Sequence, residues 1–215
     1  MLWRCGDGSE ALLRAAAIAL AIGLLNPAPL LAARPSPGWA EYQGERATRL
    51  AWRALIEGRL SDAREQATRA TSLCPEEVSG WDVAARAAIG LDDWMGAEQA
   101  VQSLRRLAPD NVDGLELLGR VSIELGRPDA ARSAFHAIAG LKPEAVAPQL
   151  GLALVAARLE GDQAAAIELL RAARMTDSTL DLSGLLLRPG WTQLAEDARF
   201  VRALNALLAE RMKRP

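Results

Sequence analysis

Three short stretches decide the fold: LCPEE at 73–77, LAPDN at 107–111 and LKPEA at 141–145. Each is a Leu-x-Pro-acid turn, and 34 residues separate Pro75 from Pro109 and Pro109 from Pro143. A further step of 34 reaches Asp177 in MTDST. Proline has no N–H to donate and drives the residue before it out of the helical region, so it closes a helix at the same place each time. Recurrence at a period of roughly 20–50 residues is the mark of a repeat architecture.

With that period the chain falls into blocks 44–77, 78–111, 112–145 and 146–179. Position 7 is then Leu50, Ala84, Leu118 and Leu152, and position 8 is Ala51, Ala85, Gly119 and Ala153. Position 20 is Ala63, Ala97, Ala131 and Ala165, position 24 is Ala67, Val101, Phe135 and Leu169, and position 27 is Ala70, Leu104, Ile138 and Ala172. Trp81 and Leu115 occupy position 4 of the middle blocks. From about residue 39 onward the apolar period is helical, and no alternating run of β-branched and aromatic residues suggests a strand. Each block predicts a helix, a turn at GRLSD, DDWMG, GRPDA or EGDQA, and a second helix ended by the Leu-x-Pro turn. Small residues at positions 8 and 20 let the two helices approach, and larger ones fill the space between pairs.

These positions together closely resemble the tetratricopeptide repeat family over about 44–177, with LGRPDAARSAF at 125–135 and LDDWMGAEQAV at 91–101 like the family's inter-helix turn. The chain departs from the pattern at Gly161-Asp162, which falls one place late and suggests a single inserted residue, and at Asp177, which stands for the proline. Ala47 and Ala54 stand in the first block where larger residues are usual. The resemblance implies an all-α, right-handed α-solenoid of about four helix pairs, in which each pair covers the apolar face of its neighbour. Residues 180–215 then read as C-terminal capping helices, a short one around Trp191 to Asp197 and a longer one from Ala198 to Met212. The longer one turns Leu204, Leu207 and Leu208 to the array and ends in Glu210, Arg211, Lys213 and Arg214.

Residues 1–33 read differently. Arg4 and Arg14 precede the apolar run AAAIALAIGLL at 15–25, the break NPAP and the small pair Ala32-Ala33, the order of a cleavable secretory signal. The mature protein is then expected from Arg34, periplasmic or secreted, with RPSPGWAEYQG at 34–44 as its opening and 34–43 as a lead-in segment. The alternative is an uncleaved helix anchoring an oligomerisation scaffold, although the run is short of the ~20 residues that span a bilayer. Cleavage removes Cys5 and leaves Cys74, so no internal disulfide can form.

Charge excludes one class of partner: 25 basic and 27 acidic groups, net −2, are mixed along the chain and give no basic stripe for nucleic acid. No GxxxxGK[ST], HExxH or GxSxG motif occurs. His136 falls on an outward face with no second ligand, Cys74 lies in another block, and Asp92-Asp93 sits where acids favour a helix N-terminus. The expectation is therefore no enzyme, no cofactor, no metal and no small-molecule substrate, with an enzyme of a type outside these motifs as the remaining alternative.

In the resembled family the first helices line a concave face through positions 2, 5, 9 and 12, which form one stripe on a helix. Position 5 is Thr48, Asp82, Glu116 and Leu150, and position 9 is Trp52, Arg86, Arg120 and Leu154. Position 12 is Leu55, Ile89, Ile123 and Ala157. The resemblance implies a groove for a protein or peptide segment at these residues, unlike the family's chaperone-binding clamp because Thr48 and Trp52 replace its lysine and asparagine. Asp82 to Arg86 and Glu116 to Arg120 are both acid-before-base at i,i+4, a pairing worth ~0.2–0.5 kcal/mol to a helix with no ligand at all. Trp52 is the position that helix support alone does not explain, and aromatic residues of this kind anchor binding sites.

Overall fold

The computed structural model describes residues 37–211, and among them there are helices and turns but no strand. The chain divides into two units, Met1–Ala40 and Glu41–Pro215. Of the first unit only the opening of α1 at Pro37 is described, so the expected signal at 1–33 lies outside the described residues. Helix α1 (Pro37–Ile56) takes in most of the expected lead-in segment and begins before the first block.

After α1 come α2 (Leu60–Leu73), α3 (Val78–Gly90), α4 (Trp94–Leu107), α5 (Val112–Glu124), α6 (Pro128–Leu141), α7 (Ala147–Val155) and α8 (Gln163–Thr176). From α2 onward each helix packs on the next, and the first helices α3, α5 and α7 also touch in succession, which is the stacking of a solenoid. Ala51, Ala67 and Val83 join α1, α2 and α3, as do Ala54, Ala63 and Ala87. The small residues of positions 8 and 20 are buried as the register requires: Ala51, Ala85 and Ala153, with Ala63, Ala97 and Ala131, have no exposed surface.

The turns explain why the pairs repeat. Asp93, Asn111 and Asp162 each accept a hydrogen bond at 2.9 Å from the backbone N–H three residues on, the side-chain cap that a helix N-terminus favours. Trp81 Nε1 donates to the Pro75 carbonyl at 2.7 Å and ties the first proline turn to α3. Inside each pair one residue is left-handed, at Gly58, Asp92, Gly126 and Gly161, with φ of 73°, 56°, 68° and 67°. Asp92 alone of these carries a side chain there, a conformation that costs an L-residue about 1–2 kcal/mol. Asp92→Gly is expected to raise stability by about 0.5–1 kcal/mol, net of the freedom that glycine adds to the unfolded chain. Thermal melting checks this, and an unchanged or lower Tm would show that the turn is not left-handed in solution.

The fourth repeat corrects the 34-residue arithmetic. The first helix keeps the register, with Ala153, Val155 and Ala156 buried, but its end, Ala156–Glu160, is a π-helical turn closed by Gly161. A π turn holds one more residue than an α turn, which is how a helix absorbs an insertion. Everything after it moves by one: Ala166, Leu170 and Ala173 are fully buried. The expected Ala165 and Leu169 are half-buried and Ala172 is exposed. Ser178 therefore matches Pro143, and Asp177 is the residue after α8. Asp177 Oδ1 accepts bonds from Thr179 N at 2.8 Å and Thr179 Oγ1 at 2.6 Å, a side-chain turn that ends the helix without proline. The Thr179 hydroxyl, then its backbone N–H, holds the Asp177 carboxyl below the usual carboxylate range.

Two further positions differ from expectation. Leu50, at position 7 of the first block, is exposed, whereas Ala84, Leu118 and Leu152 are half-buried, because no described helix pair precedes α1. Ile89, Ile123 and Ala157 at position 12 are buried in the core, and of the three only Ile123 reaches a cavity wall.

Past α8, two short 3-10 turns, Leu185–Leu187 and Thr192–Glu196, lead into α9 (Ala198–Arg211). The expected short helix is the second of these turns. Leu182, Leu185, Trp191, Phe200, Leu204 and Leu207 bury themselves against α7 and α8, with the Trp191 and Phe200 rings 6.2 Å apart. Leu208 packs on the same core, while the side chains of Glu210, Arg211, Lys213 and Arg214 lie outside the described residues.

Candidate functional site

Positions 5 and 9 are one helical turn apart, so in successive first helices they form a strip running across the repeats. In the second repeat the strip is closed by internal contacts. Arg86 Nε donates to Asp82 Oδ1 at 2.8 Å, and Arg86 Nη2 lies 4.0 Å from Asp113 Oδ1 on α5. The Arg86 guanidinium carbon stands 5.7 Å from the Trp52 ring centroid, within cation–π range. Trp52 Nε1 donates to Ser79 Oγ at 3.3 Å, and its half-buried ring packs on Ala51, Ala67 and Val83. Trp52 is thus both a brace between repeats and an exposed edge. Thr48 is different: it is buried, and its hydroxyl donates to the Gly44 carbonyl at 3.1 Å, so it offers nothing to a partner.

The third repeat is open where the second is closed. Glu116 and Arg120 do not make the expected i,i+4 pair, and among the described residues neither has a hydrogen-bond or ion-pair partner. The residue matching Asp113 one repeat on is Ala147. Both exposed side chains line a cavity of about 180 Å³ instead. Its apolar part comes from Ile123, Phe135, Leu150 and Leu154, and its remaining wall from Pro189, Gly190 and Trp191 of the cap. The structure therefore brings Glu116, Arg120, Leu150 and Leu154 together in one concave site, and Trp52, Asp82 and Arg86 in the neighbouring strip.

Comparison with known proteins agrees with this architecture. No protein-family model matches the sequence, and no curated protein matches it. Solved structures do. A thermophilic TPR protein of Thermus thermophilus is 20% identical with a TM-score of 0.59, over 78% of this chain and 89% of that one. MamA from Desulfovibrio magneticus is 14% identical with a TM-score of 0.62, over 80% of this chain and 98% of that one. PilF from Pseudomonas aeruginosa is 16% identical with a TM-score of 0.59, over 80% of this chain and 77% of that one. The protein has the tetratricopeptide-repeat fold. At these identities the likeness is one of fold alone.

Within the tetratricopeptide-repeat frame, the cavity depends on residues that the sequence positions mark for helix packing and not for binding. Phe135 reaches it because two glycines make room. A Cβ built on Gly119 would lie 2.5 Å from the ring's Cζ, and one on Gly151 would lie 2.3 Å from Cε1. Two glycines facing one aromatic residue across successive repeats is the signal that could have found the floor. The wall has no such signal, because it lies beyond the last repeat. It is held by Arg158, whose Nη1 and Nη2 donate to Glu124 Oε1 and Oε2 at 2.7 and 3.1 Å, with Nη1 also 3.3 Å from the Gly190 carbonyl. Glu124 and Arg158 are themselves 34 residues apart, both at position 13 of their repeats.

Titratable groups elsewhere carry little chemistry. Burial, and then the carboxylates of Glu41, Glu77 and Glu45, push the Cys74 thiol up, which lowers its thiolate fraction and with it the reactivity of the side chain near neutral pH. His136 is exposed on α6. Among the described residues no three His, Cys, Asp or Glu side chains converge, and no helix is long and apolar enough to cross a membrane.

Proposed function

We propose that the protein is a non-catalytic adaptor, exported from the cytoplasm, that binds a segment of another protein along the first-helix strip from Trp52 to Leu154. The observation that carries this reading is the contact set on that strip: an indole edge and Arg86 in one repeat, then Arg120, Glu116 and an apolar cavity in the next. Aromatic and arginine side chains beside a pocket are the groups that dominate protein interfaces. The tetratricopeptide-repeat fold of the neighbours is consistent with a binding role and does not name a partner.

A photo-crosslinking residue placed at Trp52 or Arg120 in the native cell, followed by identification of the captured protein, tests the adaptor reading. For a partner so found, Trp52→Ala is expected to weaken binding by about 2 kcal/mol. It should lower stability by only about 1–2 kcal/mol, because the ring is half-buried and a full core truncation would cost about 3–5 kcal/mol. Unchanged affinity with early melting would remove Trp52 from the site and leave it a brace. For export, N-terminal sequencing should find a mature chain starting near Arg34, whereas intact Met1 recovered in membranes would favour an anchored scaffold.

A further inference from the structure

We propose that the cavity beside Arg120 is an anchor point for a partner segment in which one leucine- or phenylalanine-sized side chain stands next to a single acidic residue. The inference rests on the adaptor reading and goes beyond it by assigning the chemistry of the bound segment. Volume sets the first half. About 180 Å³ is close to the roughly 150 Å³ that accepts a benzene ring, and well below the roughly 300–1,000 Å³ of small-molecule sites, so the space suits one side chain.

Charge sets the second half, and the protein contains its own reference. Arg86 takes Asp82 from its own helix and lies near Asp113 on the next. Arg120 stands at the same repeat position with neither, since Glu116 does not pair with it and Ala147 replaces the second acid. An acid supplied by a partner completes for Arg120 the arrangement that Asp82 and Asp113 make for Arg86. A run of acids does not fit. Glu116 lies one turn earlier, about 6 Å along the axis, and repels a second carboxylate. Glu124, which also lines the cavity, is already matched by Arg158. A terminal carboxylate beside the acid would add a second negative charge next to Glu116, so the occupant is an internal segment of a chain rather than its free end.

The test selects a phage-displayed random dodecapeptide library on the full chain, on Ala147→Trp and on Arg120→Glu. Ala147 is exposed and lines the cavity, so tryptophan there fills the space from the surface, and Arg120 has no partner to lose. The unaltered protein is expected to enrich peptides with Asp or Glu beside Leu, Phe or Trp. Those clones should fall by about 10-fold or more on Ala147→Trp, and Arg120→Glu should move the preference from the acid to Lys or Arg. Synthetic copies of the best clone should bind equally as amide and as free acid. Enriched clones that lack the apolar–acid pair, that survive Ala147→Trp, or that require a free carboxyl terminus overturn the inference and leave the adaptor reading standing. Failure to enrich any clone on any of the three proteins counts against both. Should Ala147→Trp melt early, the Arg120→Glu arm decides alone.

Discussion

Ala173→Asp is expected to remove most of the stability of the fourth repeat, while Ala172→Asp one residue earlier leaves the protein almost untouched. Ala173 has no exposed surface and Ala172 is exposed, although counting in steps of 34 places Ala172 in the core. A carboxylate forced into the Ala173 site is cut off from water, and burying such a group costs about 3–5 kcal/mol or more. That is a large part of the roughly 5–15 kcal/mol that holds a typical domain together. At Ala172 the same side chain stays in water, where substitutions fall within about 0.5 kcal/mol. Urea unfolding followed by circular dichroism separates the two. Equal losses, or a larger loss at Ala172, would mean that no residue is absorbed in the turn at Ala156–Glu160 and that the fourth repeat keeps the uncorrected register.

That contrast marks where the sequence is legible and where it stops. The prolines and the small residues at positions 8 and 20 speak for themselves, because each has one physical reason for recurring: a helix end or a close approach. The late Gly161-Asp162 shows that a residue has been inserted, yet nothing in the composition of AARLE shows where it is housed. The π turn is a compromise between α7 and α8, which both keep their buried faces, and only the packing reveals it.

Side-chain pairing is less legible still. Asp82-Arg86 and Glu116-Arg120 have the same spacing, and only the first forms a pair. The intrinsic gain of about 0.2–0.5 kcal/mol is too small to decide the matter, so the neighbours decide it. Arg86 is steadied by the Trp52 ring and by Asp113, whereas Arg120 has Ala147 and a cavity beside it. Thr48 lies on the predicted stripe, but its hydroxyl is drawn back to the Gly44 carbonyl, the local bond that threonine makes inside helices. The cap loop is beyond the period altogether, and its part in the site rests on Arg158 reaching across from the last repeat.

Arg158→Ala should therefore act in two places at once. The Arg158 and Glu124 side chains are only 10% and 19% exposed, and their two-point hydrogen bonding satisfies both oxygens of the carboxylate. Removing the guanidinium strips the nearly buried Glu124 of its two-point partner and leaves only the exposed Arg120 one turn earlier to face it, which is expected to lower stability by about 3 kcal/mol. The Gly190 carbonyl loses its donor in the same step, so the amides of Gly190 and Trp191 should exchange faster with solvent than in the unaltered protein. Arg158→Lys should recover little, since one ammonium cannot reproduce a planar fork that spans two carboxylate oxygens. Adding Glu124→Gln to Arg158→Ala should restore part of the loss, because the buried charge is then gone, and the double-mutant cycle should show a coupling of about 1 kcal/mol or more. A single-variant loss below about 0.5 kcal/mol, with no coupling, would place this pair among the solvent-screened ones. The wall of the cavity would then hang on Trp191, which is buried against Phe200 and the α7–α8 core regardless of Arg158.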